Sequence, residues 1–392
     1  MNPEAVPAKV PPAPDLPGRI PELDGLRGLA ILLVVICHYA GAEHSSLGYW
    51  TNRVLRALSI GWSGVDLFFV LSGFLIGGIL IDARDSRRYF RAFYMRRVFR
   101  ILPIYYLWVV LYAAIVAGGL WLVPGRTPFT PKDFFRLPIQ FLFLQNMMYE
   151  VTHFQLIWLG ATWSLAVEEQ FYLVAPPIIR WLSIRKLTVA LAAVVITAPL
   201  IRLSVFWHLA DGSYAAAQLM PCRADALALG ILSAVAWRSE QFQRFLRENP
   251  ALPKRLLVAL LIGFLALLWW LVHPLNAVTI TIGYGWIACT FACLLLATIS
   301  DRESLLARFF RARPLAALGT ISYCVYLIHG PIQGLMFELL LHSKPQIQTW
   351  RGIAVTLFAA IITYAVASFS WLVLEKPLIR RGHTYLYGED AT

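Results

Sequence analysis

Residues 23–40 read LDGLRGLAILLVVICHYA, an apolar run with Asp24 and Arg27 near its beginning and His38 near its end. The run is close to the ~20 residues that a helix needs to cross a bilayer. Ionisable side chains inside such a helix are costly, so they mark functional positions by default. Arg27 and His38 would lie roughly 16 Å apart along the helix axis. The stretch therefore predicts a transmembrane helix with a functional side chain towards each end.

The whole chain shares this apolar character. Its 392 residues are 59% hydrophobic and only 14% charged, which is too apolar for an ordinary soluble domain. We expect an all-α integral membrane protein with ten transmembrane helices. The apolar blocks that define them lie at about 24–42, 61–82, 101–122, 160–183, 187–208, 217–237, 256–273, 276–299, 315–340 and 351–374. A shorter block near 134–149, interrupted by Pro138, is expected to form one interfacial or re-entrant segment.

The net charge of +12 is concentrated in a few segments of the chain. With ten spans, five basic segments fall on the same side of the membrane as the N-terminus: 84–100, 180–186, 238–255, 302–313 and 376–381. Cytoplasmic loops of membrane proteins collect Lys and Arg, so both termini are expected to be cytoplasmic. Nucleic-acid binding, the other common cause of a basic chain, is disfavoured because no soluble domain offers a binding surface.

Three regions follow from this pattern. Residues 1–21 contain seven prolines and are expected to be a disordered arm. They lack the apolar core of a signal peptide, so the first helix must direct insertion. Residues 22–380 are expected to form the membrane domain, and residues 381–392 a short cytoplasmic tail.

Ionisable residues from five predicted spans share one depth, in the half of the membrane away from the termini. They are His38, Asp66, Glu168 with Glu169, Arg223 with Asp225, and His329. Taken singly, each has a structural role as its alternative, and Arg223 with Asp225 favours a structural ion pair. As a group they indicate a reaction site, because scattered structural polar residues would not be expected at one height. A histidine beside a carboxylate there can act as a general base near neutral pH.

Two arginines on the cytoplasmic side suggest a second chemistry. Arg97 and Arg100 are three residues apart in RRVFRILPIYYL, so they share one helix face. Arginine binds phosphate through forked hydrogen bonds, although a positive flank that meets anionic lipid explains the same pair. Acyl-coenzyme A has the shape that fits the first interpretation. Its phosphates would stay near these arginines while its thioester reached His38.

Six motifs in this order resemble the acyltransferase-3 family of membrane acyltransferases. This family includes the O-acetyltransferases that modify bacterial lipopolysaccharide and other surface glycans. The resemblance covers about residues 20–380. The motifs are LDGLRGLAILLVVICHYA, GVDLFFVLSGFLI, RRVFRILPIYYL, TWSLAVEEQFYL, RADALALG and SYCVYLIHGP.

The resemblance implies a ten-span enzyme of the bacterial inner membrane that transfers an acyl group, usually acetyl, from cytoplasmic acyl-CoA. By motif match, His38 takes the family's essential histidine and Arg27 its paired arginine. Arg97 and Arg100 match the arginine pair of the donor side, and Glu168 matches the glutamate of a tryptophan-serine-glutamate motif. The chain resembles the branch without a C-terminal hydrolase-like domain. No metal is expected.

The predicted mechanism makes His38 the general base, oriented by Asp66 or Glu168. It would activate a hydroxyl of a glycan such as lipopolysaccharide O-antigen or exopolysaccharide for direct attack on the thioester. A covalent acyl-histidine intermediate is the alternative route. Glu169, Arg223, Asp225 and His329 would complete the polar layer, as substrate-binding or structural residues. Acylation of a small molecule or a lipid headgroup is the alternative reaction, and a glycan or lipid transporter is the alternative class.

Overall fold

The computed structural model describes residues 20–40, 47–117, 137–147, 159–209, 211–271 and 273–388, and all regular structure within these ranges is helical. The α-helices in chain order are α1 (Pro21–Ala40), α2 (Tyr49–Leu58), α3 (Gly64–Asp82), α4 (Tyr89–Ala117), α5 (Leu137–Phe141), α6 (Trp163–Trp181), α7 (Ile184–His208), α8 (Gly212–Gln218), α9 (Met220–Arg238), α10 (Glu240–Glu248), α11 (Leu252–Leu271), α12 (Tyr284–Ser300), α13 (Leu305–Phe310), α14 (Arg313–Thr320), α15 (Ser322–Leu341), α16 (Trp350–Ser370) and α17 (Lys376–Gly382).

Eight helical stretches in the described ranges are long and apolar enough to cross a membrane. A ninth is added if α10 and α11, which meet at an angle of 82°, count as one bent span. The predicted span at 160–183 is present as helix α6, but it is not one of the eight, because Glu168 and Glu169 interrupt its apolar surface. An all-helical membrane protein is therefore confirmed, while the number of ten spans stays a prediction.

Two predicted segments fall partly outside the described residues. Of the N-terminal arm, only residues 20 and 21 are described. Of the predicted re-entrant segment at 134–149, residues 137–147 form helix α5, a turn with left-handed Phe143, and a short 3-10 helix at Gln145–Met147. Buried Asn146 exchanges hydrogen bonds with Gln170 of α6, at 3.2 and 2.8 Å. This contact attaches the segment to the helix that carries Glu168.

Glycines allow helix α1 to pack closely against its neighbours. A Cβ atom on Gly25 or Gly28 would overlap the backbone carbonyls of Phe310 and Leu315, which belong to α13 and α14. Small residues are the usual means of close helix approach in membranes, where lipid removes most of the hydrophobic drive for association. The Arg27 end of α1 is thus fixed by two short helices that lie against its backbone.

Helices α3 and α9 also meet backbone to backbone, at Gly73 and Gly230. A Cβ on Gly73 would overlap the carbonyl of Leu227, and one on Gly230 would overlap the carbonyl of Val70. This close crossing presents Ser72, the neighbour of Gly73, to an internal cavity on the opposite side of α3. The α3–α9 pair is therefore one fixed wall of the interior site.

We expect Gly230→Ala to destabilise the protein by about 1–3 kcal/mol, the usual cost of overpacking, because backbone atoms of α3 cannot move aside easily. Gly285→Ala is the matched control. A Cβ there would meet its nearest neighbour, an Arg202 nitrogen, at 3.7 Å, which is ordinary contact. Thermal unfolding of the purified variants in detergent measures both effects. Equal unfolding temperatures for the two variants would contradict the close crossing.

Candidate active site

Two internal cavities meet at three arginines. The first, which we call the buried cavity, has a volume of about 100 Å³ and lies between α1, α3, α4, α6 and α15. The second, which we call the wide cavity, has a volume of about 410 Å³ and is bounded by α1, α3, α4, α9 and the C-terminal residues. Arg27, Arg97 and Arg100 line both. We call these three residues the arginine cluster.

The arginine cluster is held by two helices. Arg97 and Arg100 project from one face of α4, as their spacing predicts, and Arg27 projects from α1, 3.7 Å from the carboxylate of Asp24. The guanidinium carbon of Arg97 lies 5.4 Å from the ring centre of Tyr172. Within the described ranges, Arg97 and Arg100 form no ion pair with a carboxylate, and the buried Nε of Arg97 has no hydrogen-bond partner. The cluster therefore keeps donor groups available for an anion.

Further basic side chains line the wide cavity beside the arginine cluster. Arg96 and His383 line it together with Arg97 and Arg100, while Arg238 is held there by a two-point contact to Asp82 with both N–O distances at 2.6 Å. Burial, followed by the charge of Arg96, lowers the pKa of His383. The nearby arginines, which contribute to this shift after burial, make the cavity favourable for an anionic ligand.

Glu168 is the carboxylate of the buried cavity. One of its oxygens accepts a hydrogen bond from the Ser72 hydroxyl at 2.8 Å, and the other accepts one from Tyr172 at 3.2 Å. The same cavity contains the arginine cluster. Glu168 therefore shares a cavity with the arginines, whereas the sequence grouped it with His38 in the polar layer. The reason is that it lies more than one helical turn into α6, on the face towards α3.

His38 forms a pair with His329. The Nδ1 atom of His38 lies 3.0 Å from the Nε2 atom of His329, and the ring centres are 4.9 Å apart. His329 is 2% exposed on α15, whereas His38 is exposed near the end of α1. A carboxylate was expected beside His38, but this position is occupied by a second histidine. Sequence reasoning had included His329 in the polar layer without recognising the contact.

Tyr326 lies between the buried cavity and the histidine pair. Its hydroxyl hydrogen-bonds with Ser164 at 2.5 Å and donates to the carbonyl of Ala161 at 2.6 Å. Both Tyr326 and Ser164 line the buried cavity. The ring centre of Tyr326 lies 6.0 Å from that of His329, one helical turn further along α15. Tyr326 is thus the lining residue of the buried cavity that also contacts His329.

Asp66 is an ion-pair residue in this structure. Its carboxylate lies 2.6 Å from a nitrogen of Arg223, and both side chains are buried. Asp225 pairs instead with Arg202 of α7 at 2.8 Å. The expected pair between Arg223 and Asp225 is therefore wrong, because each residue has a partner on another helix. The Arg223 guanidinium also lies 3.8 Å from the ring centre of Tyr284, which completes its enclosure.

Two further charged residues, Glu169 and Arg202, bear on the prediction of a polar layer. The buried Oε1 of Glu169 has no hydrogen-bond partner within the described ranges. Arg202 was missed, although an arginine in the apolar second half of the helix Ile184–His208 was a visible signal. No group of three or more His, Cys, Asp or Glu side chains in the described part of the chain is placed to hold a metal ion.

A family model described as an acyltransferase domain matches residues 20–372. The chain belongs to the acyltransferase-3 family. The resemblance drawn from the six motifs is thereby confirmed. No solved structure matches the chain significantly.

Several curated proteins are similar to the chain over 93% of its length. They include the peptidoglycan O-acetyltransferase OatA of Listeria monocytogenes at 26% identity, the putative peptidoglycan O-acetyltransferase YrhL of Bacillus subtilis at 29%, and the O-acetyltransferase OatA of Staphylococcus aureus at 26%. The matches cover 56%, 55% and 58% of those proteins respectively. The chain thus spans just over half the length of these relatives.

The buried Asp66–Arg223 ion pair is expected to contribute to the thermal stability of the protein. Removing one partner of a buried ion pair costs about 3–5 kcal/mol, because the other charge is left uncompensated. We expect Asp66→Leu and Arg223→Met each to lower the unfolding temperature strongly, and the double variant to recover most of the loss. Thermal unfolding in detergent, with expression level as a second readout, tests this. A double variant no more stable than either single variant would contradict a structural pair.

Proposed function

We propose that the chain is a membrane O-acetyltransferase that moves an acetyl group from acetyl-CoA to a hydroxyl of a cell-envelope glycan. The observation that carries the proposal is the arrangement of α1. This helix places Arg27 in the arginine cluster and His38 in the histidine pair, with the buried cavity extending from the cluster towards Tyr326. A side chain suited to phosphate binding and one suited to proton transfer thus lie on the same helix.

The donor side fits an acyl-CoA. The wide cavity supplies the charge that nucleotide phosphates require, from Arg96, Arg97 and Arg100. The unpartnered Nε of Arg97 is a buried donor that a phosphate oxygen would satisfy. The narrower buried cavity suits the uncharged arm that carries the thioester. We assign Arg27, Arg97 and Arg100 to donor binding, and Glu168, which lines the same cavity, to offsetting part of their positive charge.

The transfer step can be written with His38 as the general base. The glycan hydroxyl gives its proton to His38 as its oxygen bonds to the thioester carbonyl carbon. The carbon–sulfur bond then breaks, and the leaving thiolate takes the proton from His38, so that free CoA and an O-acetyl ester remain. Direct attack needs only one histidine with an available lone pair. The exposure of His38 supports this assignment because an acceptor must reach it.

The two ends of α1 are proposed to face opposite sides of the membrane. Arg27 and the wide cavity would face the cytoplasm, where acetyl-CoA is available, and His38 would face the outer side. Ten spans with both termini cytoplasmic satisfy this orientation, with α6 and the bent α10–α11 pair added to the eight apolar stretches. The proposed location is the bacterial cell membrane.

The acceptor class is supported by the similar proteins. Two of them are named as peptidoglycan O-acetyltransferases. We therefore propose a glycan hydroxyl of the cell envelope as the acceptor, and peptidoglycan joins lipopolysaccharide and exopolysaccharide as a candidate. Comparing the glycan masses of a deletion strain and its parent would identify the polymer that loses one acetyl group.

We expect His38→Ala and His38→Gln to abolish acetyl transfer while the protein still inserts and folds. Each variant lacks an imidazole nitrogen that can take the hydroxyl proton. The measurement is the transfer of labelled acetyl from acetyl-CoA to envelope glycan, in membranes from a deletion strain that carries the variant. The thermal shift caused by acetyl-CoA is the folding and donor-binding control, and it should persist. Retained transfer in either variant would refute His38 as the base.

We expect Arg97→Gln with Arg100→Gln to raise the KM for acetyl-CoA by about tenfold or more, since hydrogen bonds to charged groups contribute roughly 1.5–3 kcal/mol each. Arg91→Gln is the matched control, because Arg91 lies on the same helix but lines neither cavity. The KM is measured with labelled acetyl-CoA in the same membranes. A folded double variant with an unchanged KM would place the phosphates elsewhere.

A further inference from the structure

The surroundings of His329 determine which of its ring nitrogens carries hydrogen. Its Nδ1 atom lies 3.0 Å from the backbone carbonyl oxygen of Val325. A carbonyl oxygen can only accept, so Nδ1 must be protonated and donate. His329 is 2% exposed, and burial of a charged imidazolium there would be costly. His329 is therefore neutral, with an unprotonated Nε2.

The unprotonated Nε2 of His329 in turn determines the tautomer of His38. It lies 3.0 Å from Nδ1 of His38. Two nitrogens at this distance need one hydrogen between them, and His329 Nε2 has none to give. His38 Nδ1 must therefore donate, so that a neutral His38 carries its lone pair on Nε2. This is the nitrogen that does not contact His329.

The backbone around His329 is held by a second set of contacts. The Tyr39 hydroxyl donates to the carbonyl oxygen of His329 at 3.0 Å and also hydrogen-bonds with Thr363 of α16 at 2.8 Å. Gln333 donates from its side chain to the carbonyl of Tyr39 at 3.1 Å. Helices α1 and α15 are thus tied together next to the histidine contact, through Tyr39. The ring positions are fixed by helices that cannot shift independently.

We propose that His329 is a positioning residue that holds His38 in the tautomer whose Nε2 is free to act as a base. The proposal rests on the proposed function of His38. In the reaction, the hydroxyl proton goes to His38 Nε2, and the resulting imidazolium keeps its Nδ1 hydrogen on His329 Nε2. The neutral second histidine stabilises this charge through a charge-assisted hydrogen bond. The proton on Nε2 then passes to the departing thiolate.

Two amide substitutions separate this role from a merely structural one. His329→Gln can place an amide oxygen near the Nε2 position and still accept from His38, whereas the shorter side chain of His329→Asn cannot reach it. We expect His329→Asn and His329→Leu to lower kcat about 10–100-fold, by analogy with the loss when the hydrogen-bond partner of a metal-bound histidine is removed. Their KM for acetyl-CoA should stay within about twofold of the parent protein, since His329 does not line the donor cavities. His329→Gln should retain most of the kcat.

Thermal unfolding of the three variants controls for folding. A kcat for His329→Gln as low as that for His329→Leu, with both proteins folded, would overturn the proposal. So would a loss expressed mainly in the KM for acetyl-CoA. Retained transfer in His38→Gln would instead refute the proposed function itself, so the two failures are distinguishable.

A spectroscopic measurement tests the tautomer in the unmodified protein. The full chain, labelled with ¹⁵N-histidine and placed in lipid nanodiscs, should show one unprotonated Nε2 signal that disappears in His38→Gln. A second unprotonated Nε2 signal should disappear in His329→Leu. If the unprotonated nitrogen of His38 is Nδ1, the hydrogen-bond arrangement is wrong, whatever the activity of the variants.

Discussion

The cost of placing a charge inside the membrane governs the arrangement of this protein. A charged side chain there must be paired or must face a cavity. Asp66 with Arg223 satisfies the first condition, as does Arg202 with Asp225. Arg97 satisfies the second, because it lines both cavities and lacks a carboxylate partner within the described ranges. The paired residues hold helices together, and the cavity-facing residues are available to a ligand.

The sequence predicted the features of the site that depend on one segment of the chain. Arg27 and His38 were assigned to opposite ends of one helix, because helical rise converts their spacing into a distance. The face shared by Arg97 and Arg100 followed from their separation of three residues. Hydropathy predicted the helical membrane fold. All of these properties are local, so one segment of sequence contains the information.

The partners of buried groups could not be predicted, because they depend on how distant helices pack. Asp66 and Arg223 are 157 positions apart, and His38 and His329 are 291 apart. Depth along a span was used in place of contact, and depth alone did not show that Glu168 shares a cavity with the arginine cluster. The structure shows that Glu168 faces Ser72 of α3. That contact depends on how closely the backbones of α3 and α9 pack, which the amino-acid sequence alone does not show.

In the proposed mechanism, one extended donor lies between the arginine cluster and the histidine pair. Photo-crosslinking tests it most directly, using a CoA thioester with a diazirine on its short acyl chain and mass spectrometry of the labelled peptides. We expect labelling of the peptides that contain Tyr326–His329 and His38. We also expect excess acetyl-CoA to suppress this labelling. Labels confined to the rim of the wide cavity, around Arg96 and His383, would contradict the claim.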